Sequence, residues 1–304
     1  MKLLCTDLDR TLVPNGEQPE SNQARPILWH LLRSENLALG YVSGRDLGRV
    51  LKAIEDYELQ VPDVIVADVG TSIYVLGDKG WALHEEWQNR IGRDWNGLDS
   101  AGIGRALAAF TDLREQEADR QTRYKRSYYL PRDMDTAALT ERLQAHLQTL
   151  GVRASLIFSD DPEKNIQLLD VLPIHATKRE AVEHVQKMLG VGNEASLFSG
   201  DSGNDVTALA SHLPSVTVRN ADKATRDAVL QLAAANGTQD SSYQAEGGLV
   251  LADGQELNGN YAAGIVEGLV HFNPGWREHL LSAAWLSEAL SHNPTTGQHE
   301  SRQA

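Results

Sequence analysis

The chain has 304 residues, with 28 basic and 42 acidic side chains and a formal net charge of −14. Hydrophobic residues make up 41% of it and include 6 Trp, 8 Tyr and 4 Phe, which is enough for a buried core and argues against global disorder. At this length we expect one large domain or two modest ones.

A single cysteine, Cys5, excludes an internal disulfide framework and any multi-cysteine metal site. No apolar run reaches the roughly 18 residues that a membrane-spanning helix needs, and the first residues do not resemble a signal peptide. An acidic surface would repel a nucleic-acid backbone, although local cations could still bind a small phosphorylated ligand. We therefore expect a soluble, cytoplasmic protein with no membrane and no nucleic-acid partner.

Residues 1–80 alternate short apolar runs, typical of buried parallel strands, with amphipathic stretches typical of helices. This rhythm predicts βαβ units and a parallel sheet. The predicted elements are strands at Lys2–Asp9, Leu37–Val42 and Asp63–Asp68, and helices at Asn22–Arg33 (capped by Ser21 or Asn22) and Asp46–Tyr57.

The pattern changes from about Trp81 to Asn165, where three Trp and three Tyr are mixed with many charges. A helical stretch at Thr136–Leu150 alternates with strand-like stretches at Tyr124–Leu130 and Ala154–Phe158. We interpret residues 81–165 as an inserted α+β domain.

From residue 166 the first rhythm resumes, and we find no repeat of 20–50 residues. The predicted elements are strands at Ile166–Leu172, Ala195–Gly200 and Val216–Val218, helices at Lys178–Leu189 (capped by Thr177), Gly264–Phe272 and Trp276–Leu290, and a polar loop or hairpin region over 237–260.

Acidic side chains follow two of the predicted strands directly, in Asp7-Leu8-Asp9-Arg10-Thr11 and in the segment Gly200–Asp205. In open α/β sheets, ligands bind at the carboxyl ends of the strands. Neighbouring carboxylates repel each other unless a cation or a shared proton intervenes, and hard divalent cations prefer oxygen ligands. The alternatives are a solvated loop for the first segment and an ordinary Asp/Gly turn for the second.

Two further features would suit a phosphate. In Val42-Ser43-Gly44-Arg45, a hydroxyl and main-chain N–H groups lie at the start of a predicted helix, where anions bind well. Lys178 occupies a first helical turn, where acidic residues are normally favoured, which indicates a phosphate or carboxylate partner. A serine-capped helix and an exposed surface lysine remain the alternatives.

The four features resemble the four motifs of the haloacid dehalogenase (HAD) superfamily when they are taken in chain order, which is Asp7–Thr11, Ser43, Lys178 and Gly200–Asp205. The insertion resembles the cap of its subclass IIB. Within the superfamily the chain is similar to the sucrose-phosphate phosphatases over about residues 1–272. The similar segments are Val69–Tyr74, Tyr124–Tyr128, Leu169–Pro173, Val218–Ala221 and Ala262–Phe272.

The resemblance implies an α/β fold, with a Rossmann-like parallel-sheet HAD core and an inserted α+β (C2B-type) cap domain. The implied domains are the core over 1–80 and 166–272, the cap over 81–165, and a C-terminal helix and tail over 273–304. Residues 249–260 look like an insertion, and the tail has no counterpart in the short bacterial members.

The resemblance also implies a phosphoric monoester hydrolase with Asp7 as nucleophile and Asp9 as general acid and base, the latter protonated at the start. Mg²⁺ would be held by Asp7, the main-chain carbonyl of Asp9, Asp201 and Asp205. The implied phosphate-binding residues are Ser43, Gly44, Lys178 and Asn204.

The implied substrate is a sugar phosphate, first of all sucrose 6-phosphate, and the implied protein partner is a sucrose-phosphate synthase. The substrate-binding candidates are Gly70, Thr71, Lys125, Tyr128 and Asp170. The alternatives are a phosphatase of mannosylfructose phosphate or glycosyl-3-phosphoglycerate, a sugar phosphomutase, and a non-catalytic binding module attached to a synthase.

Overall fold

The computed structural model describes residues 1–161 and 165–291, so the end of the predicted tail, residues 292–304, lies outside the described part. None of the helices in the described residues combines the length and the apolar character that crossing a bilayer requires.

The described residues form strands and helices that we number separately along the chain. The strands are β1 (Leu3–Thr6), β2 (Ala38–Val42), β3 (Val64–Ala67), β4 (Ser72–Gly77), β5 (Gly80–Leu83), β6 (Arg114–Glu115), β7 (Arg126–Leu130), β8 (Ala154–Asp161), β9 (Ile166–Pro173), β10 (Ser196–Gly200), β11 (Ser215–Thr217), β12 (Ser242–Gln244), β13 (Leu249–Val250) and β14 (Glu256–Leu257). The helices are α1 (Ala24–Ser34), α2 (Leu47–Asp56), α3 (Glu85–Gly92), α4 (Ser100–Leu107), α5 (Thr136–Thr149), α6 (Lys178–Leu189), α7 (Val206–Leu209), α8 (Lys223–Asn236), α9 (Ala262–Phe272), α10 (Arg277–Leu280) and α11 (Ala283–Ser291).

The larger sheet has the strand order β12-β11-β10-β1-β2-β3-β4-β5. It is parallel from β12 to β3, and β4 and β5 extend it as an antiparallel hairpin. Alternate residues of β1 enter separate apolar clusters, Leu4 with α1 and α9 and Leu3 with α6 and α8. Burial on both faces explains the continuous apolar runs, and the predicted mostly parallel α/β fold is confirmed.

The smaller sheet is antiparallel, with the order β6-β7-β9-β8. Helices α4 and α5 pack against its apolar face, with Ile103 and Leu143 among the buried residues. This is an α+β arrangement, as the mixed pattern after Trp81 predicts.

The sequence analysis places the strand that begins at residue 166 in the core, but the structure places it, as β9, in the smaller sheet. This strand pairs with β7 and β8 in the smaller sheet, with Leu169 opposite Tyr128 and Phe158. The run is apolar because β9 is an interior strand, with β7 on one side and β8 on the other. A local pattern does not show which sheet a strand joins. Trp81 lies in β5 of the larger sheet, so the chain changes sheets after Leu83 and after Pro173 rather than at residues 80 and 165.

The C-terminal part departs from the sequence pattern in two places. The single helix predicted at Trp276–Leu290 is broken into α10 and α11, because Ser282 begins a new helix by accepting the N–H of Trp285 at 3.4 Å. Helix α8 and strand β12 were not predicted, although Asp222 caps α8 by accepting from Thr225 at 2.6 Å. The hairpin expected within 237–260 is present as β13 and β14.

The first helix begins later than predicted. Helix α1 starts at Ala24, and its N-cap residue Gln23 makes no side-chain cap hydrogen bond. Ser21 and Asn22 therefore do not cap it. Ser21 Oγ instead accepts from the main-chain N–H of Asn258 at 3.0 Å, which ties this loop to the hairpin of β13 and β14.

Gly70 fixes the loop after β3 against the start of α6. Its φ of +102° is one that residues with a side chain rarely adopt. A Cβ there would lie 2.7 Å from the carbonyl carbon of Thr177 and 3.0 Å from the main-chain N of Lys178. This close approach explains why only glycine fits, and it holds the first turn of α6 in place.

We expect Gly70→Ala to be more destabilising than Gly80→Ala. Both glycines have a positive φ, but a Cβ at Gly80 would meet nothing within 4 Å. The difference in the free energy of unfolding should be about 1–3 kcal/mol, the usual cost of overpacking, measured by urea denaturation. Equal losses for the two variants would contradict the close packing.

Candidate active site

The ends of three adjacent parallel strands bring the predicted residues together. Strand β1 lies between β10 and β2, and Asp7, Asp201 and Ser43 each follow their strand directly. Lys178 is the first residue of α6, which Thr177 caps by accepting the N–H of Glu180 at 3.2 Å. Asp205 ends a short 3₁₀ turn that begins at Gly203.

Lys178 joins two of these carboxylates. Its Nζ lies 2.8 Å from Asp7 Oδ2 and 2.8 Å from Asp205 Oδ1. Only 1% of its side chain is exposed, so the predicted contact with a carboxylate is present and the surface-lysine alternative is wrong. Asp205 is itself held by the N–H groups of Asp201 and Ser202, at 3.2 and 3.1 Å.

Burial dominates the electrostatics of the cluster. Burial raises the pKa of Asp7 to about 8. The positive charge of Lys178 opposes this shift, and the negative charge of Asp205 adds to it. Burial also raises the pKa of Asp201 to about 6, although a hydrogen bond from Thr11 opposes the shift. For Lys178 burial alone would lower the pKa, but the charges of Asp205 and Asp7 outweigh it, so its pKa is raised and the amine stays protonated.

Three carboxylates form a candidate cation site. Asp7, Asp201 and Asp205 are buried and offer oxygens within 4.8 Å of one another. Oxygen-only donors in a site with surplus negative charge fit a hard divalent cation. The arrangement supports the predicted metal-binding roles of these three side chains.

Asp9 turns away from this cluster. Its Oδ2 accepts from Arg45 Nε at 2.8 Å and its Oδ1 accepts from Asn15 Nδ2 at 2.6 Å. Burial alone would raise the pKa of Asp9, but the hydrogen bond and the charge of Arg45 lower it below its ordinary value. The expectation that Asp9 is protonated at the start is therefore wrong for this conformation, because the guanidinium of Arg45 lies next to its carboxylate.

The predicted phosphate-binding residues differ in exposure. Ser43 is fully buried, and its Oγ accepts the N–H of Arg45 at 3.2 Å. Gly44 is exposed at the adjacent turn. Asn204 is exposed too, and its Oδ1 accepts from Ser202 Oγ at 3.1 Å.

Lys125 links the two sheets at the site. Its Nζ lies 4.0 Å from Asp68 Oδ1 at the end of β3 and 3.8 Å from Asp170 Oδ2 in β9. Asp170 also accepts a hydrogen bond from Ser127 Oγ. Burial raises the pKa of Asp68 to about 6, which Lys125 opposes. These residues present a polar face of the smaller sheet toward the core.

The other substrate-binding candidates are packed inside the protein. Tyr128 pairs with Leu169 and lies on the opposite face of the smaller sheet from Asp170, because side chains alternate along a strand. Gly70 packs against Thr177, and its carbonyl accepts from Trp87 Nε1 at 2.9 Å. Thr71 is 1% exposed and donates to Asp68 O. These contacts are structural and give no support to substrate binding by these three residues.

The structure adds residues that the sequence analysis did not assign. Arg10 Nε lies 3.5 Å from Asp201 Oδ2, and Thr11 Oγ1 donates to Asp201 Oδ1 at 2.9 Å. Arg45 holds Asp9, and Asp68 and Ser127 join Lys125 and Asp170. Position at a strand end could have found Asp68, and period-two spacing from Lys125 could have found Ser127. The added residues are Arg10, Thr11, Arg45, Asp68 and Ser127.

The described geometry agrees with a comparison of the whole sequence. A model of the family described as sucrose-6F-phosphate phosphohydrolase matches residues 1–273. The chain belongs to this family. The predicted resemblance to HAD phosphoric monoester hydrolases of the sucrose-phosphate phosphatase type is confirmed at the level of the family.

Curated relatives of this family member include two bacterial proteins. A protein of Nitrosococcus oceani described as a HAD-like hydrolase is 42% identical over 284 residues, which cover 93% of this chain and 73% of that protein. The mannosylfructose-phosphate phosphatase of Agrobacterium fabrum is 32% identical over 206 residues, covering 67% of this chain and 77% of that protein.

A solved structure shares the fold. The sucrose-phosphatase from Synechocystis sp. PCC6803, in complex with sucrose and phosphate, superposes with a TM-score of 0.67 at 24% identity. The match covers 90% of this chain and 98% of the Synechocystis chain.

For this sucrose-6F-phosphate phosphohydrolase family member, we expect Lys178→Met to lose about 3–5 kcal/mol of folding free energy in EDTA. Removing the amine leaves the Asp7 and Asp205 carboxylates buried without a counter-charge. Lys187→Met, at an exposed position of the same helix, should change stability by less than about 0.5 kcal/mol. Urea denaturation measures both, and an equally small change for the two variants would contradict the buried pairing.

Proposed function

We propose that the protein is an Mg²⁺-dependent phosphatase that hydrolyses sucrose 6-phosphate to sucrose and phosphate. The observation that carries the proposal is the buried contact of Lys178 with Asp7 and Asp205, beside Asp201. Attack on a phosphate dianion needs a nucleophile, here a carboxylate, and positive charge beside it, here an amine and a cation site.

In the first step, the Asp7 carboxylate attacks phosphorus, the bond to the sugar oxygen breaks, and an aspartyl-phosphate forms. In the second step, water attacks this phosphorus and releases phosphate and the free Asp7 carboxylate. Lys178 and Ser43 bind phosphoryl oxygens, assisted by main-chain N–H groups at Leu8 and Gly44. Splitting the reaction in this way replaces one difficult displacement by two easier ones.

Asp9 serves as the proton carrier in this scheme. It gives a proton to the departing sugar oxygen and takes one from the attacking water. Because Arg45 holds Asp9 ionised in the structure described here, the pair must loosen before the first step. An incoming phosphoryl dianion competes for Arg45, which raises the proton affinity of Asp9.

The residues that would hold Mg²⁺ are Asp7, Asp201, Asp205 and the main-chain carbonyl of Asp9. When bound, the ion supplies positive charge that offsets the repulsion between the phosphate and an anionic nucleophile. Thr11 and Arg10 orient Asp201 for this task through its two oxygens.

The choice of sugar is proposed from the family match and the similarity to relatives. The family match supports sucrose 6-phosphate, while the 32% identity to the Agrobacterium enzyme supports mannosylfructose phosphate as the second candidate. A synthase that supplies the substrate and a cytoplasmic location belong to the same proposal.

A phosphate-release screen tests the substrate. It compares sucrose 6-phosphate, mannosylfructose phosphate, glucosyl-3-phosphoglycerate and hexose monophosphates by kcat/KM. We expect sucrose 6-phosphate to rank first. A higher value for mannosylfructose phosphate would replace the substrate, conversion between sugar phosphates without phosphate release would indicate a mutase, and inactivity toward all of them would indicate a binding module.

Asp7→Asn should reduce turnover by roughly a thousandfold or more while the protein stays folded, because an amide is a poor nucleophile toward phosphorus. Steady-state phosphate release measures the loss, and circular dichroism checks the fold. The exposed Asp119→Asn is the matched control and should keep the parental rate. Activity of Asp7→Asn within about tenfold of the parent would rule out nucleophilic catalysis by this residue.

Lys125→Met should raise KM for the sugar phosphate by about tenfold and change kcat much less. Lys125 contacts Asp68 and Asp170 rather than the carboxylate cluster, so its contribution is to binding. Tyr128→Phe, on the opposite face of the same sheet, should leave both constants within about twofold. A larger KM effect for Tyr128→Phe than for Lys125→Met would reverse the assignment of the substrate-facing side.

A further inference from the structure

A second group of metal-ligating side chains lies outside the carboxylate cluster. It consists of His84, Glu86 and His184, whose donor atoms lie within 4.8 Å of one another. His84 connects β5 to α3, and Glu86 is in the first turn of α3. His184 is on α6, six residues or about 9 Å along the helix from Lys178.

The two imidazoles have the spacing of ligands on one ion. His184 Nε2 lies 3.3 Å from His84 Nδ1, and the rings are inclined by 65°. Two nitrogens bound at about 2.0–2.1 Å to a tetrahedral ion are separated by about 3.3 Å. The carboxylate of Glu86 supplies a third donor within reach, and Glu86 is exposed, so a water molecule can complete the set.

The charges around the cluster leave the imidazoles available as ligands. Burial and the proximity of His84 lower the pKa of His184. Arg90 and Lys187 are the nearby cations that oppose a bound metal, but Arg90 already donates to Glu180 at 2.7 Å. The hydrogen bond that His84 Nδ1 accepts from the Trp87 N–H is long, at 3.4 Å, so metal binding displaces little.

We propose that His84, Glu86 and His184 bind a transition-metal ion, Zn²⁺ by the chemistry of the donors, and that this ion fastens the segment between β5 and α3 to α6. Two imidazoles and one carboxylate suit Zn²⁺, whereas the oxygen-only cluster at Asp7 suits Mg²⁺. The two sites therefore select different ions. The segment that the ion fastens is the one by which the chain leaves the larger sheet for the smaller one.

Titration of the full chain with Zn²⁺ in excess Mg²⁺ tests the proposal by calorimetry and by the melting temperature. The parent should bind one equivalent of Zn²⁺ and melt at a higher temperature with it. His184→Gln should lose both effects, and the exposed Glu86→Gln should weaken binding by about tenfold or more. His212→Gln, an exposed histidine elsewhere, is the control and should behave as the parent does.

Co²⁺ gives an independent readout, because a tetrahedral site produces intense visible absorption that an octahedral carboxylate site does not. This absorption should appear in the parent and in Asp201→Asn, and disappear in His184→Gln. If the parent binds no Zn²⁺ in excess Mg²⁺, the pair is a plain imidazole–imidazole hydrogen bond and the proposal fails. It fails equally if Glu86→Gln and His184→Gln bind Zn²⁺ as the parent does, or if only Asp201→Asn loses binding.

Discussion

The structure depends on one buried ammonium group that contacts two carboxylates. Lys178 reaches Asp7 and Asp205 at 2.8 Å each, in surroundings that exclude almost all water. A buried charge is tolerated only when it is paired, so strand β1, the turn before α7 and the start of α6 must converge at one point. With Asp201 included, three carboxylates face one ammonium, and two negative charges remain when all are ionised. A divalent cation is the partner that balances such a site.

The surrounding fold keeps this convergence rigid. Gly70 lets the loop after β3 touch the main chain of Thr177 and Lys178, so the position of the amine is set by backbone packing rather than by a flexible side chain alone. The same loop carries Asp68, which contacts Lys125 of the smaller sheet. The loop residues Asp68–Gly70 therefore connect Lys178, in the proposed catalytic cluster, with Lys125, on the proposed sugar-binding side.

The sequence predicted the parts of the site that follow from strand ends. Asp7, Asp201 and Ser43 come directly after apolar runs, and parallel strands bring their carboxyl ends to one edge. Lys178 stood out because an amine at a helix start opposes the helix dipole. The direction of Asp9 was out of reach, since its partner Arg45 lies 36 residues away and only the fold brings the two together.

The sheet that β9 joins could not be predicted, because local patterns do not contain pairing information. The apolar run of β9 would look the same in either sheet. Its register with β7 places Tyr128 on the apolar face of the smaller sheet and Asp170 on the opposite face, toward the larger sheet. Helix α8 was missed although Asp222 gives it an ordinary cap. The break between α10 and α11 follows from a serine cap inside a pattern that is otherwise continuous.

A crystal structure of the protein soaked with Mn²⁺ would show whether the carboxylate cluster binds a divalent cation, because anomalous scattering locates the ion independently of the protein atoms. We expect one strong peak bonded to carboxylate oxygens of Asp7 and Asp201, with the Lys178 amine still between Asp7 and Asp205. A cluster without a peak, or Asp7 and Asp201 turned into separate regions, would contradict it.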